Sequence, residues 1–168
     1  MAIYMKYGDI KGAVTTEGFK DWIELHSFQW GVGRAIGSAA RHMKSREHSE
    51  PSLSEITVAK RSDVATPDLF LDAVAGRLDN KVTIKFTTTT KGKVETFLTY
   101  EMENTGLGRY SISSGGDVPT ESLSLNFTKI TETFLGMDPS DRGQPKNGRL
   151  RPHSDEDDLI VAATTWPE

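Results

Sequence analysis

The residues that could carry out chemistry are few. The absence of cysteine removes disulfides, thiolate zinc sites and cysteine nucleophiles together. His42 and His48 lie six residues apart in a basic stretch without the spacing of a zinc site, so solvated loop histidines are the favoured interpretation. We find no glycine-rich phosphate loop, no serine elbow and no histidine pair with a glutamate on a helix.

An enzyme would need other groups to converge, and Asp63, Asp72 and His26 are the candidates near predicted ordered elements. Asp63 is typical of a turn, Asp72 of a solvated helix face and His26 of a half-covered strand position. The sequence therefore predicts no enzymatic activity, no cofactor and no metal ion.

Composition limits the remaining classes. A chain of 168 residues predicts one domain with a substantial core. The net charge of −4 and the pI near 5.6 argue against nucleic-acid or membrane-surface binding. No run of eighteen apolar residues predicts membrane insertion, and the amino terminus lacks the pattern of a Sec signal peptide.

One helix is clearly predicted, at about residues 67–75. Thr66 is placed to cap it, Pro67 suits its first position, Asp68 favours its positive end, and Gly76 can end it in a left-handed turn. So short a helix must be held by packing.

Apolar residues cover most of the circumference of this helix, namely Leu69, Phe70, Leu71, Ala73, Val74 and Ala75. One interpretation is a core plug for a small β domain, which we favour for Phe70. The other is that one barrel cannot cover so wide a surface, which leaves part of it, including Leu71, for a neighbouring subunit.

Elsewhere the alternation of apolar and polar residues predicts strands at 3–6, 22–32, 81–87, 94–103, 107–114 and 122–128. A turn at Asn104–Gly106 separates two of them. A hairpin turning near Gly92 brings Lys81 close to Glu101 or Glu103. A bulge near 128–129 explains why the alternation then changes phase.

The strand at 22–32 also changes phase. Ser27 and Gln29 lie on the strand face opposite the aromatic Phe28. Regular alternation would place the apolar Ile23 and Leu25 on the same face as these two polar residues. Either a bulge resets the register, or both faces are partly covered.

Two segments lack regular patterns. The long loop at about 33–54 is basic, with Arg41, Lys44 and Arg46, and the tail at 136–168 is irregular. The tail carries the acidic block 155–158 followed by the apolar run 159–163, which reads as a frayed terminus or as a segment that docks on a neighbour.

The order of these elements resembles the haemolysin-coregulated protein (Hcp) family, the tube protein of type VI secretion. The matching stretches are Ile-Tyr-Met-Lys-Tyr-Gly-Asp-Ile-Lys-Gly at 3–12, Phe-Gln-Trp-Gly at 28–31, Lys60-Arg61 through Ala65-Thr66-Pro67, and Glu-Ser-Leu-Ser-Leu-Asn-Phe-Thr-Lys-Ile at 121–130. The resemblance covers residues 1–135 and fades in the tail.

The resemblance implies a mainly β, single-domain barrel of two packed antiparallel sheets with one short flanking helix. It also implies six copies in a ring, and rings stacked into a tube that a contractile sheath expels. Its implied partners are the spike, sheath and baseplate proteins and the secreted effectors held in the ring, for which the protein acts as a chaperone. The protein would be cytoplasmic before firing and then secreted.

We hypothesise three sets of site residues. Ser27 and Gln29 face the lumen and effectors, whereas Arg41, Lys44 and Arg46 contact the next ring, with the acidic tail as one candidate partner. Leu71 lies at the subunit interface. The alternative function is a monomeric ligand-binding barrel, which would keep its apolar lining within one chain.

Overall fold

The computed structural model describes residues 1–34, 51–90 and 92–134, and the backbone of three short segments beyond them. Strands β1 to β6 and the helix are β1 Ala2–Tyr7, β2 Ile23–Leu25, β3 Ser27–Gln29, β4 Val32–Arg34, β5 Pro51–Leu53, β6 Ile56–Arg61 and α1 Thr66–Ala75. The remaining strands are β7 Asn80–Thr90, β8 Lys93–Ser113, β9 Thr120–Asn126, β10 Lys129–Phe134, β11 Gly136–Met137, β12 Pro145–Lys146 and β13 Ile160–Thr164.

Two sheets share the long strand β8. The first sheet has the order β2-β1-β7-β8-β10-β13, and the second has the order β8-β9-β6-β3. The pairs are antiparallel except β10 with β13. The predicted fold class, two antiparallel sheets with one short helix, is confirmed.

Strand β8 passes from one sheet to the other, so the predicted turn at Asn104–Gly106 is wrong. Residues 93–105 pair with β7, and residues 106–113 pair with β9. Asn104 takes a positive φ of 49° at the crossover. A side chain at Gly106 would put its Cβ 2.5 Å from the Arg77 carbonyl oxygen. Glycine and asparagine here permit a bend and a close approach rather than a hairpin.

The stretch predicted as one strand at 22–32 is three short strands. It breaks at His26, whose backbone N–H donates to the Ala59 carbonyl at 2.7 Å. Strand β2 pairs with β1, and β3 pairs with β6. The phase change arises because the chain moves between sheets, and Ile23 and Leu25 are buried while Ser27 and Gln29 are exposed.

A second break explains the other change of phase. Strand β9 ends at Asn126 in the second sheet, and β10 starts at Lys129 in the first, with Ile130 buried beside Met102. The predicted bulge is therefore a change of sheet. The predicted hairpin pair is confirmed, since Lys81 Nζ lies 3.9 Å from Glu101 Oε1.

The predicted long loop and the tail both contain residues that pair as strands. Strands β4 and β5 pair antiparallel, which shortens the predicted long loop, and residues 35–50 lie outside the described part. In the tail, β13 pairs parallel with β10 from Ile160 to Thr164. The acidic block at 155–158 lies outside the described residues.

Candidate functional site

Helix α1 is the element around which the candidate site is built. Gly76 ends it with φ 64° and ψ 36°, and the Gly76 N–H donates to the Asp72 carbonyl at 2.9 Å, so the predicted end is confirmed. Thr66 does not cap as predicted, because the cap position is Ala65 and no side chain bonds a free N–H of the helix from there. The Thr66 hydroxyl instead accepts from the Asp63 N–H at 3.0 Å.

One side of α1 is apolar and exposed. Leu69 is fully buried, but Phe70, Leu71 and Val74 are 55, 61 and 68% exposed. Successive residues are turned by about 100° around a helix, so these three lie on the side away from Leu69. We call Phe70, Leu71 and Val74 the outer face of α1.

The prediction that Phe70 plugs the core is wrong. Its ring reaches only the edge of the second sheet, where it meets Tyr110 with centroids 5.7 Å apart. Leu69 takes the core position because the helix turns that side toward the barrel. The broad apolar surface seen in the sequence is therefore real, but one barrel covers only part of it.

The prediction that Asp72 lies on a solvated face is also wrong. Asp72 is 5% exposed, and its Oδ2 accepts a hydrogen bond of 2.6 Å from the Tyr7 hydroxyl and one of 3.3 Å from Asn80 Nδ2. Burial is the main cause that raises the pKa of Tyr7, and the hydrogen bond to the Asp72 carboxylate is the second. These bonds hold the second turn of α1 against β1 and the start of β7.

A buried ionic network holds the first turn. Lys60 on β6 and Glu121 on β9 are fully buried neighbours, with Nζ and Oε2 2.9 Å apart. Lys60 Nζ also lies 2.9 Å from Asp63 Oδ1. The other oxygen of Glu121, Oε1, accepts from the Thr66 hydroxyl. We call Lys60, Asp63, Thr66 and Glu121 the anchoring network.

Sequence reasoning did not foresee this network, although a signal was present. Lys60 continues the every-second-residue pattern of the buried Ile56 and Val58 on β6. Glu121 stands at the same kind of position, two residues before the buried Leu123 on β9. A charge in the buried phase of a strand requires a buried partner. The position of Lys60 on one strand and of Glu121 on the other therefore each indicated a buried ion pair.

The other predicted site residues are placed as follows. Ser27 and Gln29 are exposed on β3 and lie beside Ala59 and Thr57 of β6, with the partly buried Phe28 between them. Arg41, Lys44 and Arg46, like His42 and His48, fall within residues 35–50, outside the described part.

The three residues considered for an enzyme do not meet at one site. His26, exposed rather than half-covered, and Asp63 line a cavity of about 190 Å³, whereas Asp72 lines a different one beside Leu71. Within 1–34, 51–90 and 92–134, no three histidine, aspartate or glutamate side chains are grouped to hold a metal ion. None of the helices described there is long and apolar enough to cross a membrane.

Comparisons with solved structures show the fold. A structure titled "Structure of a type six secretion system protein" is 24% identical, with a TM-score of 0.77, over 84% of this chain and 89% of that one. Hcp1 from the E. coli EAEC 042 pathovar is 16% identical, with a TM-score of 0.70, over 80% of this chain and 91% of that one. A type VI secretion system effector from Yersinia pestis is 20% identical, with a TM-score of 0.64, over 83% of this chain and 93% of that one.

The sequence also matches a family directly. The family model described as "Type VI secretion system effector, Hcp" matches residues 4–134, more than three quarters of the chain. No protein of curated function matches significantly. The family match begins within β1 and ends at the last residue of β10. The chain therefore belongs to the Hcp family, the secreted tube proteins of the type VI secretion system.

Proposed function

We propose that six copies of this chain close into a ring and that rings stack head-to-tail into a tube, which a contractile sheath expels. The observation that carries the proposal is the outer face of α1, which leaves Phe70, Leu71 and Val74 more than half exposed on a helix otherwise anchored to the barrel. Because these side chains are only 55 to 68% exposed, covering one of them in an assembly would contribute roughly 1–2 kcal/mol, a little over half of the value for complete burial. A closed ring repeats that gain at every junction.

In this proposal the exposed residues Ser27 and Gln29 face the lumen and contact effectors, for which the ring acts as a chaperone. Arg41, Lys44 and Arg46 remain the proposed contacts between rings. The spike, sheath and baseplate proteins are the proposed partners of the assembled tube. In this proposal the subunit is cytoplasmic before firing and is then secreted through the type VI apparatus.

The monomeric ligand-binding barrel is less well supported. The centre of the described barrel is filled by side chains that are fully buried, such as Met5, Ile84 and Met102. A cavity of about 770 Å³ is instead lined by charged residues such as Lys6, Asp79 and Glu101. An apolar ligand would find little apolar surface there.

Sedimentation velocity at micromolar concentration tests the ring. The wild-type protein should sediment as a closed hexamer, and electron micrographs should show rings. Leu71→Asp should give folded monomers because it places a charge in the proposed junction. Val118→Asp is the matched control, since Val118 is also half exposed but lies in the loop before β9. A wild-type monomer would refute both ring and tube.

A further inference from the structure

The attachment of α1 to the barrel is mainly polar. Leu69 is the one large apolar side chain of α1 that is fully buried within the described structure. One buried apolar side chain is too little to fix the direction of a helix alone. Phe70 adds an edge contact with Tyr110. The remaining attachments are polar: the anchoring network at the first turn, and the bonds of Tyr7 and Asn80 to Asp72 at the second.

Glu121 is central to the anchoring network because each of its carboxylate oxygens holds a different element. Oε2 lies 2.9 Å from Lys60 Nζ on β6, and Oε1 accepts from the hydroxyl of Thr66, the first residue of α1. Lys60 and Glu121 are register neighbours in the second sheet. The helix start is thus bonded to a rigid pair of strands by directional, charge-assisted hydrogen bonds.

We propose that Lys60, Thr66 and Glu121 are positioning residues for ring assembly. This inference rests on the proposed function: the network sets the direction of α1, and α1 presents its outer face to the next copy. A helix of ten residues is about 15 Å long, so a tilt of about 10° at its start displaces its far end by about 2.6 Å. Interfaces lose complementarity over smaller displacements than that.

Thr66→Val is the test, because it keeps the branched shape and removes the hydroxyl that links Glu121 to the helix. Thr66→Ser keeps the hydroxyl and is the matched control. The concentration at half-assembly, measured by sedimentation, should rise at least about tenfold for Thr66→Val and stay within about twofold of wild type for Thr66→Ser.

A loss of monomer stability must be separated from a loss of positioning. Each substitution is therefore also made in the monomeric Leu71→Asp chain, where thermal unfolding reports the monomer alone. Val82→Ala serves as a second control, since Val82 is a buried residue of β7 outside the network. It should lower monomer stability without changing half-assembly while the monomer stays folded.

The outcomes are distinct. Weak assembly of a folded Thr66→Val protein, with normal assembly of Val82→Ala, supports the positioning role. Wild-type half-assembly of a folded Thr66→Val protein overturns it. If Thr66→Val does not fold, Thr66→Ala takes its place, because it removes the same hydroxyl with a smaller side chain. A folded Thr66→Ala ring of wild-type affinity would also overturn the role. A monomeric wild type would instead refute the ring itself.

Discussion

The Lys60 ammonium lies 2.9 Å from the Glu121 carboxylate, and both side chains are fully buried between the second sheet and the start of α1. Removing two charges from water is costly, and their attraction offsets that cost only with good geometry and further hydrogen bonds. Asp63 and Thr66 supply those bonds. The pair therefore specifies where the helix starts as much as it stabilises the fold.

Removing one partner of this pair should be strongly destabilising. We expect Lys60→Met to lower the free energy of unfolding by about 3–5 kcal/mol, because Glu121 is left buried and unpaired. Lys81→Met, which breaks an exposed pair of 3.9 Å with Glu101, should cost less than about 1 kcal/mol. Urea unfolding in the monomeric Leu71→Asp chain compares them, and equal costs would show that the buried pair has no special role.

Neighbouring residues of α1 should respond in opposite ways. Leu69→Ala should cost about 2–5 kcal/mol of monomer stability, because it leaves a cavity in the core. Phe70→Ala should cost about 1 kcal/mol, since the ring is 55% exposed, but it should weaken ring assembly. Unfolding of the monomer and sedimentation of the ring separate the effects. A Phe70→Ala ring of normal affinity would exclude Phe70 from the junction.

The Tyr7–Asp72 bond should matter more than a comparable tyrosine contact. Tyr7→Phe removes the 2.6 Å bond to buried Asp72 and should cost about 1–3 kcal/mol. Tyr4→Phe loses only a contact of 3.4 Å with Thr16 and should cost less than about 1 kcal/mol. Chemical unfolding of both variants measures the difference, and similar costs would contradict an anchoring role for Asp72.

Tyr100 should make the fold sensitive to alkali. Burial and the carboxylate of Glu132 raise the pKa of Tyr100 to about 12. The neutral phenol is therefore favoured in the folded state, so its full contribution is present below pH 10 and is lost as pH rises from about 10 to 12. At 1.36 kcal/mol per pH unit the loss is at most about 2.7 kcal/mol. Tyr100→Phe should lose less stability than wild type across that range, and parallel curves would disprove the shift.

Gln29 tests the lumen proposal separately from the ring. Gln29→Glu should leave ring assembly unchanged, because the side chain is exposed and makes no core contact, but it should reduce the effectors that co-purify. Mass spectrometry of rings purified from effector-expressing cells measures this. Thr83→Glu, on β7 of the first sheet and away from β3, is the control. An unchanged set of bound proteins would place effector binding elsewhere.

Much of the molecule followed from the sequence alone. Alternation predicted the strands around Val82, Met102 and Leu123, because a half-buried strand must place apolar residues at every second position. Pro67 and Gly76 predicted the ends of α1, because each restricts or permits a particular backbone conformation. These signals are local, so no tertiary contact is needed to read them.

Tertiary structure decided the rest. The breaks at His26 and at 127–128 mark changes of sheet, and Asn104 marks a continuous crossover, yet each resembles a bulge or a turn in the sequence. Asp72 and Phe70 exchanged their predicted places because the barrel offers Tyr7 and Asn80 to one side of α1, whereas on the other side Phe70 meets only the edge residue Tyr110 among the described residues. Periodicity identifies an apolar face, but which side is buried depends on the partners that the fold brings to it.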